Sequence, residues 1–484
     1  MSKKVLSLVS FITLLALLLT ACGPAATEEP LEEPTETEAV VETEEPMEEP
    51  EETEEVVEPE EPAGDVTQIR WFIGLGAGGN PEEVEKEEAF VEAFNAAYGD
   101  QYELVMDVVA NETAYDVLKT QIASGDCPDI VGPVGVRGLW SFEGAWLDLA
   151  PYIAEYDYDL SDFNESLVEF YELGPQGQVG LPFAVYPSAL FYNKDLFDEA
   201  GLEYPPHEFG ADYMGEPWTF EALRDIAMFL TVDANGNDAT MEDFDPENIV
   251  QFGFHPMWTD IRGRWTYFGA GNFVDRTGNA VLPAVWEEAA KWYYAGMWED
   301  HFVPNDNYVN SDLLGQGNTF GSGNVAMNPN HTWYTCCTEG VNWDVAAIPS
   351  HDGNITAKMH ADTFAIPECS ANPNASFEVL GLMLGEFAPD LLQVYGGLPA
   401  RASLQAGALT TMQENFPDAD LNVFIEAMNY PDNPNHEAGM PNFNKASDRY
   451  TSFGSLYRTD PNLDLEAELD KLTNDLQAIF DEVD

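Results

Sequence analysis

Gly74, Gly76 and Gly79, in the stretch IRWFIGLGAGGNPEEVEKEEAF, meet the spacing G-x-G-x-x-G between a strand-like run and a helix-like one. Glycines in such a turn let backbone N–H groups approach a ligand closely, and a pyrophosphate on the following helix N-terminus is one chemistry the spacing serves. Here the following turns carry Glu82, Glu83, Glu85, Glu87 and Glu88. That much negative charge repels a pyrophosphate, so a dinucleotide is a poor fit and no cofactor is assigned.

Other reactive patterns are sparse. The chain has no G-x-S-x-G, no H-E-x-x-H and no Cys/His nucleophile arrangement, and none of its seven His stands in a spaced cluster along the chain. Acidic residues are so abundant that counting cannot single out the paired carboxylates of a glycoside hydrolase. No catalytic residue and no metal site is therefore assigned. DANGND, Asp233 to Asp238, has a calcium-loop flavour with Glu242 and Asp243 downstream, but lacks the full ligand spacing. An Asn-Gly turn between helix and strand explains it more simply. Cys127, the adjacent Cys336 and Cys337, and Cys369 follow Cys22 in an expected oxidising environment, and four Cys allow three connectivities that spacing does not resolve.

The elements that must position a site begin after a long leader. Lys3 and Lys4 precede an apolar run from Val5 to Leu19, the pattern of an export signal over 1–21, and its LTAC ending resembles a bacterial lipoprotein signal, which implies cleavage before Cys22 and lipidation of its thiol. Residues 22–64 hold that Cys and a tether with 18 Glu, five EEP repeats, no Lys or Arg and no aromatic residue; self-repelling Glu and helix-breaking Pro form no packed core. No later stretch approaches the length of a spanning helix. The formal charge is −70, and most of it belongs to the body beyond the tether. So acidic a surface argues against nucleic acid and anionic lipid as partners.

The body opens β-α-β: a strand over Gln68 to Ile73, a helix over Pro81 to Tyr98, a strand over Tyr102 to Val109, a helix over Tyr115 to Ala123, then the strand and turn PDIVGPVGV. This predicts an α/β fold with a mostly parallel sheet and ligands at the carboxyl ends of its strands.

Further on, QVGLPFAVYPSALFYNKDLFDEAGL, PWTFEALRDIAMFLTVDANGND, GNVAMNPNHTWY, VNWDVAAIPSHDG, KMHADTFAIPECSANPNASFEVLGLML and GGLPARASL follow one another in order. Together they resemble the extracellular solute-binding proteins of ABC transporters, in the carbohydrate-binding group that includes maltose-binding protein, over roughly the whole body. The resemblance implies a two-lobed periplasmic-binding-protein-like fold (type II) with a hinge and an interlobe cleft. Lobe one is expected at 66–185 plus 363–397, and lobe two at 186–362 plus 398–484. The chain should cross between them near Phe183 to Pro187, Met359 to Phe364 and Leu398 to Arg401.

It also implies candidate ligand contacts. Gly79 and Asn80 line the cleft from the glycine turn. Trp333 ends a strand where the family places a stacking Trp, and Tyr450 falls near another stacking position. Trp258 and Trp265 lie in a segment that borders the cleft, while His331 and Asp362 stand at strand ends able to bond hydroxyls. Arg137 matches a basic cleft residue, and Arg401 in GLPAR is a further candidate. Tyr186 stands where maltose-binding protein has an acidic group, and Val136 and Pro133 stand where it has acidic and aromatic ones, so maltodextrin specificity does not carry over.

The implied protein is a monomer that is not an enzyme. It captures a carbohydrate, docks on the transmembrane subunits of an ABC permease, and meets the membrane only through its lipid. The alternatives are the same fold holding a polyamine, glycerol phosphate or other small metabolite, or an exported hydrolase or adhesin.

Overall fold

The computed structural model describes residues 66–482, apart from Ala77 and Asn80. The expected signal segment, Cys22, the acidic tether and Asn80 lie outside the described residues. Among those described, no helix is long and apolar enough to cross a membrane.

The first elements follow the pattern set by the sequence. β1 (Thr67–Ile73) ends in a fully buried apolar run, and α1 (Pro81–Tyr98) starts on a proline, whose missing N–H costs nothing at a first helical position. After β2 (Tyr102–Val108), α2 (Asn111–Ser124) stops at Gly125, which takes the left-handed conformation at φ 76°. β3 (Ile130–Gly135) runs directly into the short α3 (Val136–Ser141). β1 lies parallel to both β2 and β3.

The rest of the sheet departs from the mostly parallel expectation. It is built from β4 (Gly180–Asn193), β5 (Val232–Asp233), β6 (Ile249–Phe254), β7 (Val325–His331), β8 (Trp343–Ala346), β9 (Met359–Ala365) and β10 (Leu398–Pro399). The order is β2-β1-β3-β9-β4-β7-β6-β5, with β8 and β10 also paired to β4. β9 is antiparallel to β3 and β4, β7 is antiparallel to β4, and only β6 with β7 restores a parallel pair. β4 and β9 return from distant parts of the chain, so their direction beside β3 is a tertiary choice that a local βαβ pattern does not display.

Two aromatic cores form at the two ends of this sheet. Near β1, Trp71 and Phe387 meet Phe90 edge-on at 5.7 and 5.6 Å. At the other end Trp265 packs against Phe273, Trp286, Phe453 and Tyr457, among helices α4 (Ile261–Trp265), α5 (Ala284–Trp298) and α6 (Phe443–Thr459). Between them, Val134, Val185, Phe191, Met359, Leu398 and Phe424 form a third buried group that joins β3, β4, β9 and β10.

DANGND is a tight turn. The Asp233 carboxylate accepts N–H groups from Asn235, Asn237 and Asp245 at 2.8 to 2.9 Å, and Gly236 sits at φ 87°. Burial raises the Asp233 pKa, but these donors outweigh it and hold the group at about 2. The cysteines pair as Cys127–Cys369 and Cys336–Cys337. The first bridge spans 242 residues and ties the approach to β3 to the loop after β9, where Asp129 also accepts the Ser370 hydroxyl at 2.7 Å. The double variant C127S/C369S is expected to lose about 2–4 kcal/mol of unfolding free energy with an unchanged far-UV spectrum. Denaturant melts measure this, and equal stability of the two proteins would show that the bridge adds nothing.

Candidate functional site

The glycine turn packs against the start of α2. A Cβ at Gly74, whose φ is 137°, would lie 2.0 Å from the Val109 carbonyl oxygen, so only glycine fits there. Gly78 donates its N–H to Glu83 Oε2 at 2.8 Å, and the Asn111 side chain donates to the Gly74 carbonyl at 3.0 Å. The place a phosphate would take at this helix start is thus held by the protein's own carboxylate. Beneath the turn Glu87 is buried, bonded by the Tyr395 hydroxyl at 2.7 Å, and burial lifts its pKa to about 7. Gly79 is exposed.

A dense polar group forms where β4 changes partners. Tyr186 pairs with His360 of β9 and Asp362 lies one pleat further along. The Tyr186 hydroxyl donates to the Asp362 carboxylate, and its carbonyl bonds His331 Nδ1 at 2.6 Å. Gly135 leaves room here, since a Cβ on it would lie 3.3 Å from Asp362 Oδ1 and 3.7 Å from Glu437 Oε2. The Arg137 N–H faces Glu437 Oε2 at 3.4 Å. Burial lowers the Arg137 pKa, but Tyr450, Asp260 and Glu437 around its guanidinium more than offset this and raise it. Asp260 caps α4 by accepting the Gly263 N–H at 3.0 Å. Arg262, two residues on, lies 5.6 Å over the Tyr450 ring.

Aromatic rings lead out of this group. His360 stacks on His436 at 5.2 Å, His331 lies 4.1 Å from His360, Trp333 stacks on His331 at 5.6 Å, and Trp258 stacks on Trp333 at 5.9 Å. Trp258 exposes 49% of its surface and holds a left-handed backbone at φ 53°. For a tryptophan that conformation costs roughly 1–3 kcal/mol, a cost tolerated where the surroundings fix a side chain for a purpose. A cavity of about 410 Å³ adjoins it, lined by Trp258, Asp260, Tyr450 and Arg264 among others. Arg264 is only 5% exposed, and its Nε and Nη1 have no protein partner.

Of the residues singled out by sequence, Arg137, Tyr186, Trp258, His331, Trp333, Asp362 and Tyr450 belong to this one neighbourhood. Trp265 is fully buried in the core. Arg401 is tied to the Leu384 carbonyl, the Tyr158 hydroxyl and the Phe163 ring, at 2.7, 2.8 and 4.4 Å. Sequence reasoning missed Asp260, Lys358, His360, His436 and Glu437. Lys358 and His360 sit inside a segment already quoted, and Asp260 lies between Trp258 and Trp265, but nothing local marks them out. His436 and Glu437 come from a loop that arrives from far along the chain.

The electrostatics of Asp362 are testable. Burial, followed by repulsion from Glu437, lifts its pKa to about 7, against a lowering by the Tyr186 hydroxyl. An acid with a raised native pKa keeps its proton after the unfolded chain has released it. Stability therefore falls as pH rises from about 4 to about 7 and the loss levels off above that. D362N removes this dependence: its stability relative to the parent should improve by about 4 kcal/mol between pH 4 and pH 8, measured by urea melts. A pH-independent difference would mean that Asp362 ionises normally.

The family model of bacterial extracellular solute-binding proteins matches residues 78–386. No curated protein sequence matches the chain. In fold it is similar to the ABC substrate-binding protein Lmo0181 from Listeria monocytogenes, solved in complex with cycloalternan, at 20% identity over 86% of this chain and 99% of that one, with a TM-score of 0.65. It is likewise similar to the sugar-binding protein MalE from Xanthomonas citri, at 16% identity over 86% and 97%, TM-score 0.64. A solute-binding protein from Thermotoga lettingae bound with α-D-tagatose gives 17% identity over 86% and 100%, TM-score 0.62. With more than half of its length matched by the family model and this fold shared, the chain belongs to the bacterial extracellular solute-binding proteins.

Proposed function

We propose that this protein captures a carbohydrate outside the cytoplasm and delivers it to an ABC importer, held to the membrane by lipid on Cys22 and by the acidic tether. In this reading the ligand sits against Trp258 and Trp333, with Arg137, Tyr186, Asp260, Asp362, Glu437 and Tyr450 supplying hydrogen bonds. The lobes are 66–185 plus 363–397 and 186–362 plus 398–484. Their closure on the sugar makes the form that docks on the permease.

The observation that supports it best is the pairing of a stacked indole ledge with a group of mixed charge. An indole face covers the C–H face of a pyranose, and planar carboxylates and guanidinium groups bond its hydroxyls. A polyamine would have to lie beside Arg137 and Arg262, and a phosphate beside Asp260, Asp362 and Glu437. A neutral polyhydroxyl ligand meets both signs at no such cost. Structural relatives solved with cycloalternan and with α-D-tagatose point the same way. The family is one of solute-binding proteins, which supports capture rather than turnover.

A thermal-shift and tryptophan-fluorescence screen across mono- and oligosaccharides, polyamines and glycerol phosphate tests the ligand class. At least one sugar should raise the melting temperature, and W258A should weaken its binding about 10-fold or more. Silence of every sugar at millimolar concentration, or a response to polyamine alone, would overturn the reading. In cells, fatty-acid labelling should appear on the parent and vanish in C22S; equal labelling would remove the anchor.

A further inference from the structure

Three of the seven histidines, His331, His360 and His436, converge in the cleft from β7, β9 and the loop before α6. One ligand atom from each of His360, His436 and Glu437 lies within 4.8 Å of the others. The arrangement behind them is specific. His436 Nδ1 bonds Asp432 Oδ2 at 2.7 Å, and Asp432 is fully buried, its other oxygen accepting the Met359 N–H at 2.9 Å. A carboxylate on one imidazole nitrogen fixes the tautomer and ring direction and leaves the other nitrogen as a lone-pair donor, the support that metal-ligating histidines receive. Asn435 holds the same loop, donating to the Met359 carbonyl at 2.9 Å and accepting the Glu437 N–H at 2.9 Å. His331 Nε2 is buried beside them without a protein partner.

We infer that His360, His436 and Glu437 form a three-ligand site for a divalent transition cation of the zinc class. Two neutral imidazoles and one carboxylate suit zinc, cobalt or nickel and suit calcium or magnesium poorly, because hard cations prefer all-oxygen sets. Lys358 faces the site as a positive group, and burial pulls its pKa down to about 8, while Asp260, Asp432 and Glu437 face it with negative charge. Three protein ligands leave a coordination position that a solute oxygen can fill. The rival group Glu288, His351 and Asp352 offers one imidazole, already bonded to Glu288 at 3.0 Å, and two exposed acids. The inference shares Glu437 with the carbohydrate reading but does not depend on it.

The test is titration of the metal-free full chain with cobalt(II) chloride and then zinc chloride, with millimolar magnesium present to saturate weak surface acids. One equivalent of cobalt should give visible absorption of low-symmetry N/O coordination, and zinc should displace it. H360A and E437Q should each weaken zinc binding by about 100-fold or more, and H351A should leave it unchanged. H436A is informative if it folds; H360A and E437Q carry the test if its bond to Asp432 proves structural. Absence of a one-to-one cobalt complex, persistence of tight binding in H360A, or its loss in H351A would each overturn the site. A sugar-induced melting shift measured in EDTA reads the carbohydrate proposal separately.

Discussion

The fold hangs on β4. All fourteen of its residues are buried, and it bonds β9 and β10 along its first half and β7 and β8 along its second. The handover falls at Pro187, which has no N–H to give to a ladder, and Ser188 makes the last bond to the β9 side, donating to the Lys358 carbonyl at 3.0 Å before pairing with His331. A proline deep in a sheet is rare because it breaks pairing. Here the break is where one set of partners ends and the other begins. Tyr186, His331, His360 and Asp362 all stand on strand positions at that break, so the polar group of the cleft follows directly from the exchange of partners.

The charges at that point show how a very acidic chain uses its few cations. The chain holds 18 Lys and Arg against 88 Asp and Glu. Arg137, Arg262, Arg264 and Lys358 all gather around the cleft, and three of them are buried. Buried cations demand opposite charge close by, because desolvation otherwise drives them neutral. Asp260, Asp432 and Glu437 answer Lys358, and Asp306 answers the neighbouring Arg458 at 2.8 Å. Arg264 is less well matched: burial first, and then repulsion from Arg458, outweigh the pull of Tyr293, Tyr457 and Asp306 and draw its pKa down to about 10. The surface acidity and the cleft are therefore separate matters, the first a property of solvated faces and the second a balanced network.

Much of this was legible in the sequence, for identifiable reasons. The opening strands and helices are set by local periodicity and by Gly125 and Pro81, so their limits agree within a few residues. Trp333, Asp362, Tyr186 and Arg137 could be singled out because their segments have recognisable neighbours. The antiparallel return of β4 and β9 was not legible, since strand direction depends on contacts between distant segments. Nor were the histidines, which stand at 331, 360 and 436 and share no spacing until the sheet and one loop bring them together. The aromatic content also misled: Trp71, Trp265 and Trp286 are fully buried, so a rich supply of rings locates a core as readily as a ligand site. Only exposure and backbone strain single out Trp258.

The glycine turn shows how spacing alone underdetermines chemistry. G-x-G-x-x-G makes a turn whose backbone N–H groups point at a helix start, and that geometry is general. What the N–H groups meet is decided by the next residues. Here Glu83 reaches back to the Gly78 N–H, and Glu87 lies under the turn against Tyr395. A carboxylate in the anion position satisfies the orphan donors internally and leaves no net positive field for a phosphate. Gly79 stands exposed at the end of the turn. Glu83 and Glu87 thus cancel the motif's usual meaning, and a pattern match should be judged on the charge that follows it as much as on its glycines.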